Sequence, residues 1–250
     1  MTRQAIRAGR GQADAARTMA IWACIVGVPA IATFTLVPEL DLVVSRQFAL
    51  GESDFSGLHS NLALFMRTMF RTIFVLCCAV AAAGLALAVF RRSTPLRLRT
   101  GQWLFLVLCL SVGPGLVVNV LLKDQWGRAR PVQIVEFGGT KMFTPPLVRS
   151  DQCSRNCSFA SGEAASMFTA FYSVALIAPQ WSAPIMIAGT VAGLGAGLIR
   201  VSQGGHFLSD VVFAGVLIAL ISAGLHRLIF GRIGTGWLGL LLKAYPSRGS

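Results

Sequence analysis

The chain has 250 residues, of which 54% are hydrophobic and only 13% charged, and its mean hydropathy is +0.67. An ordinary soluble domain carries about 25% charged residues, so this composition excludes one and points to a membrane protein. Lys and Arg number 22 against 10 Asp and Glu; these cations fill the gaps between apolar runs instead of forming one stripe with interleaved aromatics, which argues for membrane lipids as partners and against nucleic acid.

Six apolar runs are predicted to span: Met19–Val37, Met69–Phe90, Trp103–Leu122, Ala164–Ala178, Ser182–Ile199 and Phe207–Leu228. Most approach the ~20 residues that cross a ~30 Å hydrocarbon core; the fourth is short and is expected to begin nearer Phe159. The expected fold is therefore all-α, a polytopic membrane protein with six transmembrane helices in one bundle. A basic arm (1–18) precedes the membrane domain (19–228), and a tail (229–250) follows it. Met19–Pro29 behind the arm also resembles a signal peptide, with Ala30-Ile31-Ala32 as a cleavage site. The run continues to Val37, which favours an uncleaved anchor. In the fifth run, Gly189, Gly193 and Gly197 form two Gly-x-x-x-Gly spacings that permit close helix contact.

Orientation follows from the loops. Arg3, Arg7, Arg10 and Arg17 precede the first run; Arg91, Arg92, Arg97 and Arg99 follow the second; Arg227, Arg232, Lys243 and Arg248 close the chain. The first loop instead carries Glu39, Asp41, Glu52 and Asp54. Both termini are thus expected in the cytoplasm, with the loops after the first, third and fifth runs outside. Cys153 and Cys157 share one of those outer loops, where an oxidising compartment would allow a disulfide; the alternative is two free thiols.

Three polar clusters do not read as membrane flanks. The first is Lys123 through Arg128 and Arg130-Pro131. A lone lysine at a helix exit is ordinarily a snorkelling anchor, but three cations on an outer face need an anion, and guanidinium forks match phosphate oxygens. The second is Ser161-Gly162-Glu163 at the start of the fourth run. The third is Arg200 with His206 and Asp210. If the sixth helix has begun, His206 and Asp210 share a face, so the carboxylate can hold one ring nitrogen and leave the other free to attack or exchange a proton. The bland alternative is a structural His–Asp pair with Arg200 as an interfacial anchor. His59 and His226 have no acid at helical spacing and read as non-catalytic. A zinc site needs three or four protein ligands; only Glu163, Glu136 and Asp151 could join His206 and Asp210, so no metal or other cofactor is expected.

Together the clusters resemble the type-2 phosphatidic acid phosphatase superfamily of integral membrane lipid phosphatases. Its first motif, Lys, six residues, Arg-Pro, matches Lys123 through Arg130-Pro131; its third, Arg, five residues, His, three residues, Asp, matches Arg200, His206 and Asp210. Of its second motif, Pro-Ser-Gly-His, only Ser161-Gly162 remains, with Glu163 in the histidine's place and Ala160 in the proline's. Ile199 replaces the usual serine before the third motif's arginine.

The resemblance implies that His206 is a nucleophile forming a phosphohistidine, oriented by Asp210. It implies that Lys123, Arg130, Arg200, Ser161 and Gly162 hold phosphoryl oxygens; Arg128 joins them by charge and proximity. Glu163 is either the general acid and base or an ion-pair partner that orients Arg128 or Lys123. Gly127-Arg128-Ala129-Arg130-Pro131, the two cysteines and Ser161-Gly162-Glu163 look like the lipid A 4'-phosphatase-like members. Undecaprenyl diphosphate, phosphatidylglycerophosphate and lipid-to-lipid phosphotransfer are the alternatives, and a non-enzymatic carrier the last. The implied setting is the bacterial inner membrane, with the site facing the periplasm and a phosphorylated lipid as the partner. The sequence leaves oligomeric state open.

Overall fold

The computed structural model describes residues 3–91 and 93–231, and only the backbone of residues 3–10. Arg92 and residues 232–250, which hold most of the expected tail with Arg232, Lys243 and Arg248, lie outside the described residues.

The arm and the first run form one helix, α1 (Arg3–Leu36). The last part of the arm packs on the bundle: Ala15, Ala16 and Met19 are buried, and Gln12 Nε2 donates to the Ile177 carbonyl at 3.2 Å. A short helix α2 (Leu40–Arg46), a two-stranded hairpin of β1 (Ala49–Gly51) and β2 (Asp54–Phe55), and one helical turn (Ser56–His59) follow. Then comes α3 (Asn61–Phe90), which begins eight residues before the predicted second run. Ser60 explains that start: its Oγ accepts the Ala63 N–H at 3.2 Å, so helix forms through a polar turn that hydropathy alone does not mark.

The third run is α4 (Thr100–Gln125), and its middle is not regular: Val112–Leu122 winds as a π-helix. Gly113-Pro114-Gly115 opens that stretch. Proline has no N–H to give to the ladder and clashes with the preceding turn, so the helix widens there. A long loop leads to α5 (Gly162–Ile177), then α6 (Ser182–Ser202) and α7 (Leu208–Phe230).

Among the described residues five helices are long and apolar enough to cross a membrane: the Gly11–Leu36 part of α1, α3, α4, Pro179–Ser202 and α7. The sixth expected span, α5, has 16 residues, which at ~1.5 Å per residue is about 24 Å, short of a ~30 Å core. The chain from Ser158 to Ser161 is not helical, so the helix cannot begin nearer Phe159 as expected. What α5 lacks in length it makes up in burial. Ala164, Ala165, Ala175 and Leu176 are wholly inaccessible, and α5 packs most extensively against α6. The glycine spacing on α6 explains that contact: a Cβ on Gly189 would fall 2.4 Å from the Phe171 Cβ, and one on Gly193 2.5 Å from the Phe168 ring.

The ends of α1, α4 and α6 and the starts of α3, α5 and α7 gather at one end of the bundle, under a cap made by the hairpin and the 126–161 loop. Ser53 N donates to the Phe137 carbonyl at 2.7 Å and Val132 N to the Gly204 carbonyl at 3.1 Å. Phe55, Ala129, Ile134, Phe137 and Phe207 form a small apolar core inside this cap.

Candidate active site

All three polar clusters meet beneath that cap. Lys123 ends the π-helical part of α4, and its carbonyl accepts the Cys157 N–H at 3.0 Å, which folds the long loop back over the helix exit. Cys153 and Cys157 are joined by a disulfide. The neighbouring Asn156 holds Arg130: the guanidinium NH2 donates to the Asn156 carbonyl at 2.7 Å and to its Oδ1 at 2.9 Å. Burial, with the charge of Arg67 nearby, holds Arg130 below the usual arginine range.

Ser161 occupies the cap position of α5, yet its hydroxyl caps nothing. It is fully buried, and among the described residues its Oγ has no hydrogen-bond partner, a state that costs about 1–3 kcal/mol unless a ligand fills it. The N–H groups of the first turn of α5, which a helix start leaves without partners inside the helix, favour an anion. Gly162 keeps this helix start clear: a Cβ there would lie 2.7 Å from Asn119 Oδ1 and 3.2 Å from Lys123 Nζ.

Arg200 closes the site from the end of α6, 8% exposed. Its guanidinium lies against Gly205, where a Cβ would fall 2.3 Å from NH2, and NH1 donates to Gln203 Oε1 at 2.6 Å. His206 follows directly, ahead of the first turn of α7. Its Nδ1 donates to the Ser158 carbonyl at 2.7 Å, which fixes the tautomer and leaves Nε2 with its lone pair. Burial lowers His206 to about 4 against the pull of Asp210, so the ring is neutral at physiological pH.

Two expectations change here. Asp210 does not grip the imidazole: its Oδ2 lies 3.7 Å from Nδ1, while it accepts from Phe207 N at 2.8 Å and from the Ser158 hydroxyl. The reason is local. His206 precedes the helix, so Asp210 caps its own helix start, and the neighbouring loop takes the ring. Arg128, grouped by sequence with the phosphate-binding cations, has a completely buried side chain turned away from that role. NH1 donates to Asp210 Oδ1 at 2.6 Å, NH2 to Asp41 Oδ2 at 2.8 Å and Nε to the Thr144 carbonyl at 2.9 Å. The Phe207 ring lies 4.2 Å from the guanidinium carbon.

Three further residues join the site that motif reading passes over. Asp41 on α2, fully buried, accepts from Ser209 N at 2.8 Å and from the Ser209 hydroxyl as well as from Arg128. Burial holds its carboxyl above the usual range, against the pull of Arg128. Arg67 on α3 donates from Nε to Glu163 Oε1 at 3.0 Å, and Arg200 Nε lies 3.4 Å from Glu163 Oε2. Glu163 is thus bracketed by two guanidinium groups, neither of them the partners expected from sequence. The third is Asn156. Only Asp41 left a trace in the sequence, as one acid among the outer-loop acids. The control histidines stay apart: His59 pairs with Asp54 at 2.8 Å on the surface, and His226 is buried beside Phe105 and Phe230. A cavity of about 200 Å³ reaches Lys123, with Arg71, Gly162 and Glu163 also on its polar wall and Phe70 and Phe74 on its apolar one.

A helical membrane protein that gathers fixed cations, a helix start, an unpartnered hydroxyl and a neutral imidazole at one end of its bundle has the parts of a membrane phosphatase, since phosphoryl transfer depends on positioning and charge compensation. Comparison with known proteins gives the family: the model of the PAP2 superfamily matches residues 103–234, and the chain belongs to that superfamily of metal-independent membrane phosphatases. It is 37% identical over 206 residues to a lipid A 4'-phosphatase of Francisella tularensis subsp. novicida (strain U112), covering 79% of this chain and 89% of that one. To the lipid A 4'-phosphatase of Rhizobium leguminosarum it is 32% identical over 213 residues, 79% of this chain and 91% of the other. The Rhizobium etli protein of the same name is 29% identical over 216 residues, 79% of this chain and 82% of the other. No solved structure matches the chain.

Proposed function

We propose that this lipid phosphatase removes the 4'-phosphate of lipid A through a phosphohistidine on His206. The observation that carries the chemistry is the His206 ring, held at Nδ1 by the Ser158 carbonyl and, among the described residues, without a hydrogen-bond partner at Nε2. The names of the three relatives support the substrate. Nε2 attacks phosphorus, the bond to the sugar oxygen breaks, and that oxygen leaves with a proton taken from solvent. Lys123, Arg130 and Arg200 hold the phosphoryl oxygens with the Ser161 hydroxyl and the Gly162 N–H. Water then attacks phosphorus and breaks the phosphorus–nitrogen bond, giving one proton to solvent, so that inorganic phosphate leaves and His206 returns neutral. Glu163 acts by holding Arg67 and Arg200 in place, because both its oxygens already face guanidinium groups. Asp210 acts on the ring through space, as the negative charge nearest Nδ1.

The cap end faces the periplasm, a reading supported by the cations at the opposite ends of the helices. The start of α5 lies beneath the cap and α6 returns there at its C-terminus, so α5 completes six crossings despite its length. The cavity between α3 and α5 would take the part of the lipid next to the phosphate.

The test is phosphate release by the purified protein in detergent from lipid A, undecaprenyl diphosphate and phosphatidylglycerophosphate, with His206→Ala as control. Release from lipid A alone, lost in the control, is the expected result. Preferential release from either other lipid would overturn the substrate, and full activity of His206→Ala would overturn the mechanism.

A further inference from the structure

A carboxylate meant to support a cationic phosphohistidine is here bound by a guanidinium. Arg128 NH1 sits 2.6 Å from Asp210 Oδ1, both side chains fully buried. Alone, that pair is neutral and offers little to a ring that gains positive charge on attack. On its other side Arg128 meets a second carboxylate, Asp41, at 2.8 Å. Among the described residues, the hydrogen-bond partners of the Asp41 carboxylate are all donors: the Ser209 N–H, the Ser209 hydroxyl and Arg128 NH2. A carboxyl surrounded by three donors is solvated in its ionised form. With Asp41 ionised, the buried group of Asp41, Arg128 and Asp210 carries one net negative charge, with Asp210 Oδ2 3.7 Å from the imidazole.

We propose that Asp41 is a positioning residue for the phosphoryl-transfer step: it restores the negative charge that Arg128 takes from Asp210 and keeps that guanidinium from drawing Asp210 away from the ring. Asp41 lies on α2, well before the residues 103–234 that carry the family match. The role rests on the phosphohistidine reading of the same site and adds to it a residue from a separate part of the chain. Asp41 also sets the helix that bears Asp210. It takes the Ser209 N–H and hydroxyl, while Asp210 takes the Phe207 N–H and the Ser158 hydroxyl. Two adjacent carboxylate anchors fix the start of α7, and Arg128 bridges them.

The experiment compares Asp41→Asn, Asp41→Glu, Arg128→Met and the double variant Asp41→Asn/Arg128→Met by turnover and by binding of orthovanadate and inorganic phosphate. Vanadate adopts the five-coordinate geometry of the transferring phosphoryl group and bonds to the attacking nitrogen; phosphate reports ground-state binding alone. Asp41→Asn is expected to lose on the order of 10–100-fold in kcat and in vanadate affinity, with KM and phosphate affinity within about threefold. Asp41→Glu keeps the charge and should retain more of both. The double variant restores the net charge of the group, so its vanadate-to-phosphate ratio should recover toward wild type. Asp41→Asn with wild-type vanadate binding overturns the proposal. So does a double variant whose ratio is lower than either single variant's, which would mark Asp41 as packing only. Vanadate binding needs no lipid, so a wild-type protein that binds vanadate yet leaves lipid A intact sinks the substrate reading and leaves this inference to its own result.

Discussion

Gly205→Ala separates catalysis from folding at this site. A Cβ at residue 205 would stand 2.3 Å from Arg200 NH2 and 2.7 Å from the guanidinium carbon. Ordinary contact is about 3.5 Å, so the guanidinium must retreat by roughly 1 Å. The end of an arginine side chain moves cheaply, and Gly205 is not among the glycines with positive φ, so alanine fits its backbone. Stability should therefore change little, with the unfolding midpoint in detergent shifting by no more than about 2 °C. The phosphate clamp pays instead: a displacement of ~1 Å in a group aimed at a transferring phosphoryl group costs on the order of 10–100-fold in kcat. The assay is phosphate release under saturating substrate, run beside a thermal unfolding scan of the same preparation. A kcat within twofold of wild type, with the protein folded, would refute the assignment of Arg200 to the transition state. So would a large loss of stability, which would make Gly205 a packing residue.

Glu163→Gln should lower kcat by roughly 3–30-fold while leaving the shape of the pH–rate profile unchanged, because the loss is of a bracket for Arg67 and Arg200; disappearance of one limb of the profile would restore the acid–base role. The depressed His206 makes a stability prediction with a definite sign. Its folded value of about 4 lies below the ordinary 6.5, so the unfolded chain binds more protons between these values. Its contribution is complete above pH 6.5 and lost as pH falls toward 4, so the unfolding midpoint of wild type should fall more steeply across that window than that of His206→Gln; parallel slopes would refute the burial of a neutral ring. Cys153→Ser/Cys157→Ser removes a tether over a very short loop, worth about 2 kcal/mol by loop entropy. Its functional effect should come through Asn156 and Arg130, as a rise of about 3–10-fold in KM with kcat little changed; an unchanged KM would detach the disulfide from the phosphate clamp.

Much of this protein was legible in its sequence because hydropathy and motif spacing are short-range properties. Apolar length marks a helix wherever the chain must satisfy its own backbone in lipid, and so α1, α3, α4, α6 and α7 could be read directly. The fixed intervals between Lys123 and Arg130 and between Arg200, His206 and Asp210 pointed to phosphate chemistry before any fold was known. The same rule placed the start of α5 too early, nearer Phe159, since a helix buried among its neighbours need not have the length of one facing lipid. Side-chain partnership was decided only in three dimensions. Four residues of separation suggested that Asp210 holds His206, but the helix begins between them, so Asp210 caps that helix and Ser158 takes the ring. Charge suggested that Arg128 faces phosphate; the tertiary fold sets it between Asp41 and Asp210, 87 and 82 residues away along the chain. Glu163 found Arg67 across 96 residues. Spacing along the chain fixes which residues share a face over a few turns, whereas packing chooses which distant charge is buried beside them, and in this site that choice sets where the negative charge lies.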